Sequence, residues 1–203
     1  MILNKNINGI KLLGVSGSIL LIVYYTLFFI DYVDYLHPII RYLIFYCGIL
    51  SFYYSLYKFM IYNKFELESK IILIWLIVQS LLMISDIINT YFLPVDLWYY
   101  ILIAVSLLLM AMFGIKIWII KRKNVIGLRL LKWFMILFFA SLITIGLLLF
   151  ISYHFHKFYN VNHIVSVLII PYVFGFIFCV RYLPPSNLSN LREIIINRKQ
   201  IEK

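Results

Sequence analysis

LWYYILIAVSLLLMAMFGIKIWI, the stretch from Leu97 to Ile119, holds a single charged residue in twenty-three, Lys116, placed three residues from its end. About 20 such residues, wound as an α-helix, cross the hydrocarbon core of a bilayer. Hydrocarbon offers backbone N–H and C=O groups no water, so a spanning segment must be a helix or part of a closed barrel. Barrel strands alternate apolar and polar residues, whereas Ile101-Leu102-Ile103-Ala104-Val105 is apolar on every face. The stretch therefore reads as a transmembrane helix.

Working outward, five further runs of similar length are bounded by charge or by Pro, Asn and Asp: Leu12 to Ile30, Ile39 to Tyr62, Ile71 to Leu93, Trp133 to Tyr153 and Ile164 to Leu183. The second carries Arg41 and Lys58 near its ends and spans only if both side chains snorkel to the interfaces. The fold class expected is all-α, a polytopic helical membrane protein of about six spans. Residues 1–183 form the membrane domain and 184–203 a tail. Composition agrees: 65% hydrophobic and 13% charged residues would leave a soluble fold of 203 residues covered in apolar patches. The first run follows Lys5 and Lys11 in the manner of a signal peptide, but it is too long for a cleavable one and is expected to remain as the first span.

Alternating the connecting segments between two sides puts sixteen of the 18 Lys and Arg residues on the side of both termini, leaving only Arg41 and Lys157 opposite. Cytoplasmic segments collect Lys and Arg, so both ends are expected in the cytoplasm. The same distribution accounts for the net charge of +10 and weighs against a nucleic-acid partner. Lys121, Arg122, Lys123 and Arg129 should face anionic inner-leaflet lipids or a protein partner. Beyond Pro184-Pro185, Leu191, Ile194 and Ile195 alternate with Arg and Lys, as in a short basic amphipathic helix lying on that leaflet. Aromatic residues near span ends, such as Tyr24, Trp98, Trp118, Trp133 and Tyr153, fit interfacial anchoring, and the group Tyr53, Tyr54 and Tyr57 could line a cavity. Cys47 and Cys179 lie singly in apolar runs, with no CxxC pair. The richness in Ile, Asn, Lys, Tyr and Phe suits an AT-rich genome and hence a bacterial inner membrane.

Three groups of residues are candidates for chemistry. On the outer side stand His37, His154, His156 and His163 with Asp31, Asp34 and Asp96. His154, His156 and His163 are the candidate ligands for a divalent metal, although no spacing matches a known metal motif and no cofactor is otherwise expected. Within the spans, Gln79, Met83, Asp86 and Thr90 share one helical face, and an intramembrane carboxylate normally faces a partner inside the bundle. Arg41 lies at similar depth, so an Arg41–Asp86 ion pair is expected, with Gln79 completing an intramembrane polar site. Pro171 and Gly175 could break the last helix and free carbonyls for a ligand. Gly14, Gly17 and Ser18 in the first span, and Ala140 and Thr144 in the fifth, offer faces for close packing.

There is no GxSxG elbow, no HExxH and no phosphate-binding Gly loop. The expectation is a non-enzymatic accessory, regulatory or effector component of an envelope, secretion or phage-defence system, working with a protein partner or as a homo-oligomer. The alternative is a small transporter or substrate-binding membrane subunit. A metal-dependent intramembrane enzyme using the outer histidines ranks third.

Overall fold

A computed structural model describes residues 2–91, 97–121, 125, 127–154 and 160–182, with side chains from residue 9 onward and excluding those of 91 and 182. His156, Arg122, Lys123, Asp96, Lys157 and the tail 184–203 lie outside the described residues.

The described chain is helical. Helix α1 (Ile2–Phe29) is followed by a 3-10 turn (Val33–Tyr35), α2 (Pro38–Tyr62), α3 (Glu66–Tyr91), α4 (Leu97–Ile119) and α5 (Leu128–His154). The short α6 (Val161–Val165), a second 3-10 turn (Ser166–Leu168) and α7 (Ile169–Tyr182) complete it. Six stretches are long and apolar enough to cross a membrane: one in each of α1 to α5, and Val161–Arg181 running from α6 through α7.

Helix ends follow local chemistry. Pro38 stands in the first turn of α2, where its missing N–H is no loss, and His37 caps that helix by accepting from the Ile39 N–H. Helix α1 ends in a Schellman turn: the Tyr32 N–H donates to the Leu27 carbonyl and the Asp31 N–H to that of Phe28, with Asp31 left-handed at φ 53°. Lys64, at φ 59°, closes α2 in the same way, with Phe65 donating to Met60.

Helices α1 to α4 pack in sequence, α7 lies against both α1 and α5, and α4 and α5 touch more sparingly, so the first and last long helices are neighbours. Gly17 makes the α1–α2 contact close: a Cβ there would stand 2.4 Å from the Phe52 backbone nitrogen. The main core gathers Leu21, Tyr25, Phe52, Tyr53, Phe134, Tyr172 and Phe178, with Tyr25 and Tyr172 stacked at 5.6 Å. A smaller cluster of Tyr46, Val78 and Leu82 joins α2 to α3 near the opposite end from the chain termini.

The outward faces are apolar. On α3, Leu73, Ile77, Leu81, Ile84 and Ile88 recur at helical spacing and are exposed, while Gln79 on the other face is buried. That is the reverse of a soluble helix and matches one surrounded by lipid.

The last stretch departs from the expectation at Gly175 but is interrupted near Pro171. The helix is interrupted at Ser166–Leu168, just ahead of Pro171, which cannot donate to the carbonyl four residues earlier. Gly175 does not break α7. It admits the Phe52 ring, whose Cζ would lie 2.8 Å from an added Cβ.

Candidate functional site

The polar face of α3 is divided between two neighbouring helices. Nearer mid-span, the Gln79 Nε2 donates to the Ser106 hydroxyl at 2.6 Å and the Trp75 indole N–H donates to the same oxygen at 3.0 Å, all three residues being buried. Two turns further along, the Tyr46 hydroxyl of α2 donates to Asp86 Oδ2, and Tyr99 of α4 stands near the same carboxylate. Thr90 Oγ1 donates to the Asp86 carbonyl at 2.8 Å and lies 2.9 Å from the Tyr42 hydroxyl, which is therefore the donor in that contact. Asp86 is half-buried.

Arg41 does not pair with Asp86. Its guanidinium lies 3.5 Å from Asp34 Oδ1, in the turn that precedes α2. The cause is the pull of the interface: Arg41 occupies the first turn of α2, and a guanidinium is costly in the span, so its side chain turns outward to Asp34. Asp86 takes the neutral Tyr46 phenol as its donor in place of Arg41. Gln79 is bonded to Ser106, so the structure does not unite Asp86, Arg41 and Gln79 in one site.

Asp34 belongs to a second network at the loop end of the bundle. Asn160 Nδ2 donates to both oxygens of Asp31, at 2.9 and 3.0 Å, and Asn162 Nδ2 donates to Asp31 and Asp34 at 3.2 Å. His163 Nε2 lies 3.4 Å from Asp31 Oδ2. Together these contacts fasten the α1–α2 turn to the start of α6. Asp31 holds these donors from a left-handed backbone conformation, which Asp tolerates better than most residues.

The described histidines do not converge. His154 sits against Phe150, its Nδ1 3.2 Å from that residue's carbonyl, and His163 faces Asp31. Among the described residues no three of His, Cys, Asp and Glu come together as metal ligands. His156 lies outside them.

At the other end, Lys132 Nζ donates to the carbonyls of Trp118 and Ile120, at 3.0 and 2.6 Å, and lies over the Trp118 ring. It thus caps the C-terminus of α4 from α5, satisfying carbonyls that the helix leaves open. Lys121 and Arg129 are exposed beside it. The tyrosine group separates: Tyr53 is buried at 4.3 Å from the Trp75 ring, while Tyr54 lines a cavity of about 400 Å³ between α1, α2 and α3. The Tyr53 hydroxyl is buried beside Tyr172 without a well-formed hydrogen bond among the described residues.

Sequence reasoning missed Tyr46, Tyr99, Ser106, Asn160 and Asn162. Ser106 was discernible as a lone polar residue in an apolar run, and Asn160-Val161-Asn162 as a helix start, but neither pattern names its partner. No family model, no curated protein and no solved structure matches the chain.

Proposed function

We propose that this chain is a non-enzymatic, multi-spanning component of the cell membrane, in a bacterium the inner membrane, that acts as an accessory, regulatory or effector part of a larger system of the envelope, secretion or phage-defence kind. The observation that supports this reading is that its intramembrane polar side chains fasten its own helices together: Gln79 and Trp75 to Ser106, Tyr46 to Asp86, and Tyr42 to Thr90. A carrier moves a solute by letting such groups exchange partners between states. A bundle whose polar groups knit α2, α3 and α4 into one unit is suited to presenting a fixed surface to another membrane protein.

The experiment is purification of the tagged protein in mild detergent from its native host after in-membrane crosslinking, with mass spectrometry of what accompanies it. A membrane protein recovered at stoichiometric level is the expected result. Recovery of the chain alone, with a ligand-dependent rise in melting temperature that Asp86→Asn removes, would overturn it.

That second outcome would establish the alternative, a small transporter or substrate-binding subunit. What favours the alternative is the half-buried Asp86 carboxylate between Tyr46 and Tyr99, one to two turns from the end of α3.

A further inference from the structure

The seam between α4 and α5 closes where the Phe139 ring meets Gly114 and stands open beside that contact. It forms an apolar groove of about 550 Å³ whose walls include Ala111, Gly114 and Ile115 of α4 and Ile136, Ala140 and Ile143 of α5. Ala111 and Ala140 recess these walls, Gly114 lies against the Phe139 ring, and Trp118 and Lys132 stand at one end. We propose that this groove binds one acyl chain of an anionic phospholipid, whose headgroup is held by Lys121, Arg129 and Lys132.

Length argues for an acyl chain. From Lys132 to Ile143 is eleven residues, which at ~1.5 Å per residue makes about 16 Å. This equals about half of the ~30 Å hydrocarbon core, the depth of one leaflet. A spanning helix from a partner would need a trough running through both leaflets, whereas a lipid chain occupies only one.

Charge argues for an anionic headgroup. Between Leu97 and His154 the sequence contains no Asp or Glu, and its six Lys and Arg residues all fall between 116 and 132; of these, Lys132 stands at one end of the groove. Arg129 and Lys132 are three residues apart on α5, hence on neighbouring positions of one face, and Lys121 is exposed just past the end of α4. Lys132 uses two of its three N–H donors on the Trp118 and Ile120 carbonyls, leaving one for a phosphate oxygen. Its position over the Trp118 ring fixes the ammonium at the groove's mouth.

The test is native mass spectrometry of the full chain in mild detergent, titrated with phosphatidylglycerol and with phosphatidylcholine of identical acyl chains. One phosphatidylglycerol retained per chain, in clear preference to phosphatidylcholine, is expected. Lys121→Gln and Arg129→Gln should each weaken retention by about fivefold, corresponding to about 1 kcal/mol per basic residue near an anionic surface. Ala140→Phe, which fills the groove and leaves every charge in place, should abolish it, and Ala111→Leu provides an independent filling from the α4 side should Ala140→Phe not fold. Equal retention of the two lipids would mean an ordinary lipid annulus and overturn the proposal. So would retention that survives groove filling, which would be surface charge alone. A dimer whose mass excludes lipid would overturn it too, placing a second copy in the seam.

Discussion

Ser106 accepts from two donors that come from different turns of α3, so its removal strands both in a medium without water. Ser106→Ala should lower stability by about 1–3 kcal/mol, the cost of leaving buried polar groups unpaired. The double variant Ser106→Ala with Gln79→Leu should recover part of this loss, because one orphaned donor is then gone. Thermal unfolding of the three proteins in one detergent measures both effects, and an unchanged melting temperature for Ser106→Ala would show that the pairing is not stabilising. At Asp86, Asn keeps an oxygen for the Tyr46 hydroxyl while Ala does not, so Asp86→Asn should melt closer to the native protein than Asp86→Ala. The residues of this polar face were legible in the sequence because a spacing of four, three and four fixes them on one side of a helix. Their partners were not: hydropathy gives the depth of a side chain, but the rotation of each helix about its axis decides which neighbour it meets. Depth alone suggested Arg41 for Asp86, and rotation together with the pull of the interface gave Tyr46 instead.

Among elements, the α1–α2 pair is drawn together at Gly17 and Gly48, while α5 contains a glycine, Gly146, that nothing approaches. A Cβ on Gly17 would strike the backbone of Phe52 and Gly48, at 2.4 and 2.8 Å, and backbone cannot swing aside as a side chain does. Gly17→Val should push the two helices apart and cost about 1–3 kcal/mol or more, seen as reduced yield and a lower melting temperature. Gly146 has open space around its Cβ position, so Gly146→Ala should be neutral or stabilising by up to about 1 kcal/mol through helix propensity. Helix existence was the most legible level of all. The Leu97 to Ile119 run coincides with α4, whereas α3 and α5 begin five residues before their apolar runs, at Glu66 and Leu128. Those first turns carry Glu68, Lys70, Arg129 and Lys132, charges that end a hydropathy run without ending a helix. The small-residue reading was right in kind for Gly17, but nothing in the sequence distinguished it from Ala140, which lines an open groove.

For the whole molecule, the distribution of Lys and Arg predicts which end faces the cytoplasm. In a version with Cys47 and Cys179 replaced by Ala, Tyr35→Cys should be labelled by a membrane-impermeant maleimide in intact cells, and Lys121→Cys only after permeabilisation. Both positions are exposed, so labelling in the opposite order would invert the topology rather than reflect burial. The order of packing around the bundle carries a further consequence, in the time of synthesis. Helix α1 leaves the ribosome well before α7, yet the faces of Leu21 and Tyr25 are covered in part by α7. Until α7 arrives, the nascent bundle has an open flank from which a half-made chain can be recognised as unfinished. Closure of this flank thus waits on α7, and a chain stopped short of Tyr172 would present membrane quality control with an unsealed α1.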